Sequence, residues 1–486
     1  MDVIDKDLVS IQEARRLAIT ARDAQRIWGK ASQVDVDRVC ATMAEAAFRA
    51  SERLGKLANE ETGYGVPAHK KIKNEFGSRG VWESIKDIKT VGVIDHDPTR
   101  KIYEIAWPMG VVAALTPSTN PTSTAMAKIL FAVKARDAIV IAPHPSAIRC
   151  SNETCQIMAK AAEEAGAPHG LVSCMQNITL AGTQELMNHH YVALILATGG
   201  SAMVKAAHSV GKPAYGVGPG NVPVYVDRSA DLEKAARYIV SSKSFDYSTI
   251  CSSEQAVVAD RPIAKRLAEL MQAEGAYFVD EIQANALSKT LFFPDGSINS
   301  ISVGKSPQYL AGMAGFQIPG SARIMVARLN EVGKNEPLSR EKLTTVLGWY
   351  EADGWEAGCD RCIELIQFGG RGHTQIIHAK DDQVILSFGL EKPVFRIVVN
   401  TMGTLGAIGF TTGLMPSLTL GSGGIGGSIT GDNITVYHLF NIKRMAYELK
   451  PPPEIVFRPS ELPAGPTPQE IEKVVQAVVS EILNIR

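Results

Sequence analysis

Gly110-Val-Val-Ala-Ala-Leu-Thr116-Pro-Ser-Thr-Asn120-Pro-Thr-Ser123 opens as an unbroken apolar run, stops in a Thr/Pro/Asn loop, and leads into a helical pattern over Ala125 to Ala135. A run with no polar alternation reads as a short strand buried on both faces. The same unit then repeats. A second strand, Ala138 to Ala142, ends in Pro143-His144-Pro145-Ser146 and is followed by a helix through Glu164. A third strand near Leu171 to Met175, a helix around Leu180 to Met187 and a fourth strand, Val192 to Leu196, continue the series. Such alternation calls for a parallel sheet with helices on both faces. Ligands bind these sheets beyond the carboxyl ends of the strands, so the loops after Leu115, Ala142 and Leu196 point at one site.

The loop after the fourth strand is Ala197-Thr198-Gly199-Gly200, with a helix beginning at about Ser201. Paired glycines let backbone approach a ligand, and the free N–H groups of the next helix suit a pyrophosphate. The GxGxxG fingerprint is missing, and a tight turn alone would also account for two glycines. Tyr215-Gly216-Val-Gly218-Pro219-Gly220-Asn221-Val-Pro223 reads as a Gly/Pro loop ahead of a short strand, Val224 to Val226. A helix over Asp231 to Ser242 then runs into Phe245-Asp-Tyr-Ser-Thr-Ile-Cys251-Ser-Ser-Glu254-Gln-Ala-Val-Val258. A lone cysteine among hydroxyl residues at the mouth of a strand suits a covalent nucleophile. Its thiolate attacks carbonyls, and the resulting thioester can still be passed to a second acceptor. The plainer alternative is a small buried hydrophobe. Beyond Cys251, helices (Pro262 to Glu274, Glu356 to Gln367) and strands (Arg323 to Ala327, Val346 to Tyr350, Thr374 to His378, Arg396 to Val399) alternate again. This predicts a second domain, with Cys251 in the cleft near the change of domain.

Upstream, Leu8 to Gly63 carries helical periodicity, for example Val36, Val39, Cys40, Met43 and Ala47. Thr90 to Ile94 and Lys101 to Trp107 flank the turn-rich Asp95-His-Asp-Pro98 and predict a hairpin. A chain of 486 residues is long for one core, which makes two large domains the default. Its 50 basic and 51 acidic side chains argue against a nucleic-acid partner. Seven irregularly spaced cysteines fit a reducing cytosol better than a disulfide framework. Cys359-Asp-Arg-Cys362 has metal spacing, yet it recurs with Ile363 and Ile366 at helical intervals, so it reads as helix packing and no metal is expected. The N-terminus has acids and no apolar run, and the uncharged stretch Ile397 to Gly431 is too rich in Gly, Ser and Thr for a spanning helix. A cytoplasmic protein with no membrane partner is expected.

The segments Leu-Thr-Pro-Ser-Thr-Asn120-Pro-Thr-Ser, Ala-Pro-His144-Pro-Ser-Ala, Ile-Leu-Ala-Thr-Gly199-Gly200, Gly-Val-Gly-Pro-Gly220-Asn221, Ile-Cys251-Ser-Ser-Glu-Gln, Glu341-Lys-Leu and Gly-His373-Thr follow one another along the chain. Together they resemble the CoA-acylating branch of the aldehyde dehydrogenase superfamily. The resemblance implies an α/β fold with two doubly wound Rossmann-type domains and a small oligomerisation hairpin. A cofactor-binding domain would span residues 1–240, with the hairpin at 90–108. A catalytic domain would span 241–430, and a return segment 431–450. Cys251 would attack an aldehyde carbonyl, with Asn120 and the Cys251 backbone N–H as the oxyanion hole. The cofactor would be NAD or NADP, and coenzyme A would take the acyl group. Thr116, Pro117, His144 and Gly218 would contact the dinucleotide, Thr198-Gly199-Gly200 its phosphates, and Glu341 its nicotinamide ribose. His373 would act near the CoA and aldehyde channel; a packed loop histidine is the alternative. Lys101 to Trp107 and Ile434 to Leu439 would help build a homodimer or larger assembly.

Two departures from the hydrolytic relatives matter. Those enzymes place a glutamate before a Gly-Gly-Lys segment to activate a deacylating water, and the corresponding Tyr215 to Asn221 has no carboxylate. Without a general base water is a poor acceptor, and a thiol such as coenzyme A replaces it. They also grip the adenosine ribose with a lysine that Ile141 to Pro145 lacks, which leaves NAD versus NADP open, with Arg149 nearby. Both an anionic aldehyde (sulfoacetaldehyde, succinate semialdehyde) and acetaldehyde or propionaldehyde fit the resemblance, and hydrolytic release of a free acid is the competing chemistry.

After Leu449 the composition changes to a Pro-rich linker over 451–468, ahead of a helix over 469–486. Thr467 as N-cap, Pro468 at N1 and Glu470 at N3 mark its start. Ile471, Val474, Val475, Val478, Val479, Ile482 and Leu483 form one apolar stripe. A helix this short is marginal in water and must dock on something. That is either its own dimer or, by resemblance to the encapsulation peptides of bacterial microcompartment cargo, a shell.

Overall fold

In a computed structural model, which describes residues 5–454 and 464–483, the alternation read from Val111 becomes two parallel sheets. β1 (Gly92–Asp97) and β2 (Ile102–Pro108) precede them. β3 (Val111–Thr116), β4 (Ala138–Pro143), β5 (Val172–Cys174), β6 (Val192–Thr198) and β7 (Ala214–Val217) form a five-stranded sheet in the order β5-β4-β3-β6-β7. Every pairing in it is parallel. The order reverses between β3 and β6, which opens a crevice at their carboxyl ends. The helix Pro121–Lys134, buried along its whole length, packs beside the sheet, and its Lys128 Nζ donates to the carbonyls of Leu115 (2.8 Å) and Leu196 (2.9 Å). One lysine thereby ties β3 to β6 at the reversal. The N-terminal helices Lys6–Trp28 and Gln33–Arg49 complete this core with Ala14, Ala18, Ala21, Val36, Val39 and Met43.

β8 (Val222–Val226), β9 (Glu254–Asp260), β10 (Ala276–Val279), β11 (Ile324–Arg328), β12 (Val346–Ala352), β13 (Gln375–His378) and β14 (Ile397–Val399) form a seven-stranded sheet in the order β10-β11-β12-β9-β8-β13-β14. It too is parallel throughout. Helices Leu232–Ser244 and Arg261–Ala273 share one apolar cluster with it through Ile239, Leu267 and Met271. Helix Gly354–Gly369 buries Cys359, Cys362 and Leu365 in another. The Cys359/Cys362 pair is thus packed helix interior.

Two readings change and one is refined. Tyr215 to Val217 is a strand, not loop: β7 pairs with β6 from Ala214↔Ile195 to Thr198↔Val217, and hydrogen bonding to a neighbour supplies what a glycine-bearing triplet lacks in propensity. A Cβ on Gly216 would stand 2.5 Å from His208 Nε2 and 2.6 Å from Val204 Cγ1, so the helix Ser201–His208 rides directly on that strand. Next, β8 already belongs to the seven-stranded sheet, which therefore starts ahead of residue 241. Finally, within the segment Ile434 to Leu439 expected at a dimer contact, Ile434, Val436 and Leu439 are buried in the chain's own core, Tyr437 is exposed, and β15 begins at Phe440 (Phe440–Ala446).

The chain divides into two compact units. The first runs to Ile94 and from Glu104 to Lys443, and holds both parallel sheets. The second comprises Asp95–Tyr103 and the chain from Arg444 onward. β1, β2 and β15 form a third sheet in that order. The C-terminal helix Pro468–Leu483 carries the expected capping box, with Glu470 N donating to Thr467 Oγ1 at 3.3 Å and Thr467 N to Glu470 Oε2 at 2.8 Å. Much of the linker expected over 451–468 lies outside the described residues. No described helix is long and apolar enough to cross a membrane.

Candidate active site

A cavity of about 320 Å³ opens where the carboxyl edge of the five-stranded sheet faces the amino edge of the seven-stranded one. The first edge contributes Pro117 and Asn120 after β3, His144 after β4, Thr198, Gly199 and Gly200 from β6, and Gly218 after β7. The second contributes Thr249 and Cys251 ahead of β9, and Glu341 ahead of β12.

The first edge is made of backbone and small side chains. Gly200 is the N-cap of helix Ser201–His208 and no side chain caps it, so the first-turn N–H groups stay free beside the cavity. Space at the Gly200 Cβ position is open. These features fit a dinucleotide pyrophosphate, which takes backbone donors at a helix start. His144 Nδ1 pairs with Ser146 Oγ at 2.8 Å, and burial lowers its basicity. Thr198 Oγ1 meets Thr419 Oγ1 at 3.1 Å.

The second edge is charged. Glu341 is 9% exposed, and its Oε1 accepts from Gly220 N at 2.8 Å. Burial raises its carboxyl to about 7 against the opposing pull of that N–H, Lys243 and Lys342. Burial pushes the Cys251 thiol up to about 12, the charge of Glu341 adds to the rise, and Arg396 with the Cys251 and Ser252 N–H groups opposes it. Unliganded, Cys251 is therefore a thiol at neutral pH. It is reached through a turn in which Asp246, Tyr247 and Ser248 take φ of 47°, 51° and 66°. Left-handed backbone costs roughly 1–2 kcal/mol per non-glycine residue, so other contacts must hold it. Asp246 supplies them: its carboxylate accepts from Val66 N (2.7 Å), Thr249 Oγ1 (2.5 Å), Lys70 Nζ (3.2 Å) and Lys73 Nζ. Asn120 joins the same turn by donating from Nδ2 to Thr249 O at 3.0 Å.

A cysteine facing a glycine-lined crevice is one constellation, and a comparison with known proteins decides what it belongs to: residues 7–278 match the aldehyde dehydrogenase family. The chain belongs to that family. It is 39% identical over 487 residues to aldehyde-alcohol dehydrogenase 2 of Entamoeba histolytica, a match covering 97% of this chain and 55% of that one. The chain thus spans about half the length of the aldehyde-alcohol dehydrogenases it matches. An acetylating aldehyde dehydrogenase from Geobacillus thermoglucosidasius superposes with a TM-score of 0.92 at 49% identity, over 93% of this chain and 100% of that one. A propionaldehyde dehydrogenase from the fucose utilisation microcompartment of Clostridium phytofermentans gives a TM-score of 0.81 at 28% identity, over 88% of this chain and 96% of that one.

Within this aldehyde dehydrogenase fold, two of the residues proposed from sequence stand back from the cavity. Thr116 is buried at the end of β3, where its carbonyl accepts from His144 N at 3.1 Å. His373 is 1% exposed, with Nδ1 at 2.9 Å from Thr374 Oγ1, Nε2 without a partner, and its basicity lowered to about 3 by burial and Arg396. It is neutral. It still touches the nucleophile's surroundings, because a Cβ on Gly220 would stand 2.4 Å from Cys251 O and 2.9 Å from His373 Nδ1. Sequence reasoning missed Thr249, Met203 and Leu343 in the cavity wall, and the Lys70, Lys73 and Asp246 cluster behind it. The available signal was Asp246, an acid just upstream of a nucleophile in an otherwise neutral segment.

Proposed function

We propose that this aldehyde dehydrogenase family member oxidises a short aldehyde with NAD or NADP and passes the acyl group from Cys251 to coenzyme A. The five-stranded sheet serves as the cofactor-binding part and the seven-stranded sheet as the catalytic part. One observation carries the reading: Cys251 and Asn120 share a cavity with the open glycine turn Thr198–Gly200, and the part of residues 215–221 that lines it, Val217, Gly218 and Pro219, brings no carboxylate. The Thr198–Gly200 turn would hold the cofactor phosphates, with Pro117, His144, Gly218 and Glu341 around the rest. The nicotinamide, when bound, supplies the hydride acceptor.

Cys251 first loses its thiol proton to solvent; its Sγ thiolate then adds to the aldehyde carbon, the carbonyl electron pair moves to oxygen, and the oxyanion is held by Asn120 Nδ2 and the Cys251 N–H. A single such donor is worth roughly 3–4 kcal/mol in acyl-transfer enzymes. Arg396, buried and bonded to the His373, Gly431 and Asp432 carbonyls, lends positive potential that favours the thiolate. After oxidation the acyl group sits on sulfur as a thioester. The coenzyme A thiolate then adds to the same carbon in the same oxyanion hole and expels the Cys251 thiolate. Water needs a general base for that step, and a thiol of ordinary acidity does not. Measuring product with and without coenzyme A tests this: free acid formed at a comparable rate without coenzyme A overturns it.

Glu341 lines the cavity, and above about pH 7, where its carboxyl ionises, it disfavours anionic aldehydes; acetaldehyde or propionaldehyde is the substrate this supports. A panel of acetaldehyde, propionaldehyde, succinate semialdehyde and sulfoacetaldehyde with both nicotinamides tests it, and a higher kcat/KM for either anion reverses the choice. The small β1, β2, β15 sheet is the surface through which the chain forms a homodimer or larger assembly, checked by sedimentation. The apolar stripe of the C-terminal helix, together with the likeness to a microcompartment propionaldehyde dehydrogenase, supports a cytoplasmic enzyme carried into a shell. Unchanged localisation of a fluorescent fusion lacking residues 451–486, in a host that makes shells, refutes that part.

A further inference from the structure

Two lysines and an aspartate are buried together behind the cavity, and the chemistry above gives them no part. Lys70 and Lys73 lie on the helix Pro67–Glu75 and both reach Asp246 Oδ2, with side chains 2%, 2% and 0% exposed. Burying three charges is costly, and apolar replacement of such clusters is often neutral or stabilising, so stability alone is a weak reason for keeping one. Their remaining hydrogen bonds show where they are aimed. Lys70 Nζ donates to Thr119 O at 3.2 Å. Lys73 Nζ donates to Thr249 Oγ1 at 3.2 Å and to Asn120 Oδ1. Thr119, Asn120 and Thr249 all stand in the cavity wall.

The contact with Asn120 fixes which way its amide faces. Lys73 Nζ also faces the Asp246 carboxylate and Thr249 Oγ1 and serves both as a donor, so the amide atom against it must be oxygen. The NH2 is then turned to the opposite side, where it donates to Thr249 O (3.0 Å), two residues ahead of Cys251, and to Thr119 Oγ1 (3.1 Å). A flipped amide would set its NH2 against the lysine and its oxygen against the Thr249 carbonyl, two repulsive contacts. The same Lys73 also grips Asp246, which anchors the left-handed turn leading to Cys251.

We propose that Lys73 is a positioning residue for acyl transfer: it clamps the Asn120 amide with its N–H groups toward the Cys251 loop, so that the oxyanion meets a donor already aimed. This rests on the oxyanion role assigned to Asn120 above. Lys73 touches neither substrate nor cofactor and acts only through that amide and the turn beside it.

The test is a double-mutant cycle on the full chain, read as the single-turnover rate of NADH or NADPH formation with acetaldehyde. Lys73→Met should slow it about 10- to 100-fold, and Asn120→Ala on the order of 10²- to 10³-fold. In the Asn120→Ala background Lys73→Met should cost no more than about threefold further, because the group it orients is gone. Alkylation of Cys251 by iodoacetamide, which needs no oxyanion donor, should stay within about threefold in Lys73→Met. A full additive loss in the double variant overturns the proposal. So does an alkylation rate that falls in step with turnover, since Lys73 would then support only the nucleophile loop. Should Asn120→Ala alone keep the native rate, the oxyanion assignment fails first and takes the proposal with it. If Lys73→Met does not fold, Lys73→Gln, which can both donate and accept and so orients nothing, goes through the same cycle under the same criteria.

Discussion

The two edges that meet at the cavity solve opposite problems. The carboxyl edge of the five-stranded sheet presents glycines, a proline and an uncapped helix start, and leaves its donors unpaired for a ligand to satisfy. The amino edge of the seven-stranded sheet is closed on itself: its turn is left-handed at three residues, and every cation behind it is bonded to protein oxygens. One edge offers donors to a ligand and the other holds Cys251 in place. A binding surface made of backbone tolerates side-chain change, whereas a reactive atom placed by buried charges depends on each of them.

The strongest challenge to that contrast is Cys251→Ala, which should cut coenzyme A-dependent aldehyde oxidation by on the order of 10⁴-fold or more while dinucleotide titration stays near native. Equal loss of dinucleotide binding would erase the division between the edges. Gly220→Ala comes next. Its Cβ would sit 2.4 Å from Cys251 O, a backbone atom that cannot swing aside, and displacement of the nucleophile should cost on the order of 10²-fold in single-turnover rate. A drop confined to dinucleotide affinity would assign Gly220 to the other edge.

Titration sharpens the comparison further. With the Cys251 thiol at about 12, its alkylation in the unliganded protein should climb about tenfold per pH unit from pH 7 to 9 without a plateau. A plateau near pH 7 would mean the amino edge activates the cysteine before any ligand arrives. Since the Glu341 carboxylate raises that thiol, Glu341→Gln should shift the curve to lower pH and speed alkylation at pH 8 by roughly threefold to tenfold. The smallest effect belongs to neither edge: removing residues 464–486 should leave kcat/KM within about twofold, because every residue assigned to the reaction lies ahead of that segment in the chain.

Legibility followed the same line. Elements built from long local patterns, such as the strands over Val111, Ala138 and Val192 and the helices between them, were readable because burial on both faces leaves unbroken apolar runs. β7 was not, because Tyr215-Gly216-Val217 becomes a strand only through its pairing with β6. Ile434 to Leu439 was readable only as a segment without a fixed place: that Ile434, Val436 and Leu439 enter the chain's own core was decided by packing. In the site, Cys251, Asn120, Glu341 and Thr198–Gly200 were visible as motifs. Lys70 and Lys73 were not, since a lysine-rich turn reads as a solvated face, and Lys73 lies 173 residues from the aspartate that buries it.

By itself, then, the order of residues determined the two alternating βα series, the family, the cysteine proposed to react and the glycine turn opposite it. All of these are local patterns, and short-range propensity and burial write them into contiguous stretches. Tertiary structure alone decided that opposite edges of the two sheets face each other, that His373 stays neutral beside the Cys251 main chain, and that a buried lysine sets the direction of the Asn120 amide. Those are properties of groups brought together from distant positions, where burial and neighbouring charge, rather than residue type, dictate what each one does.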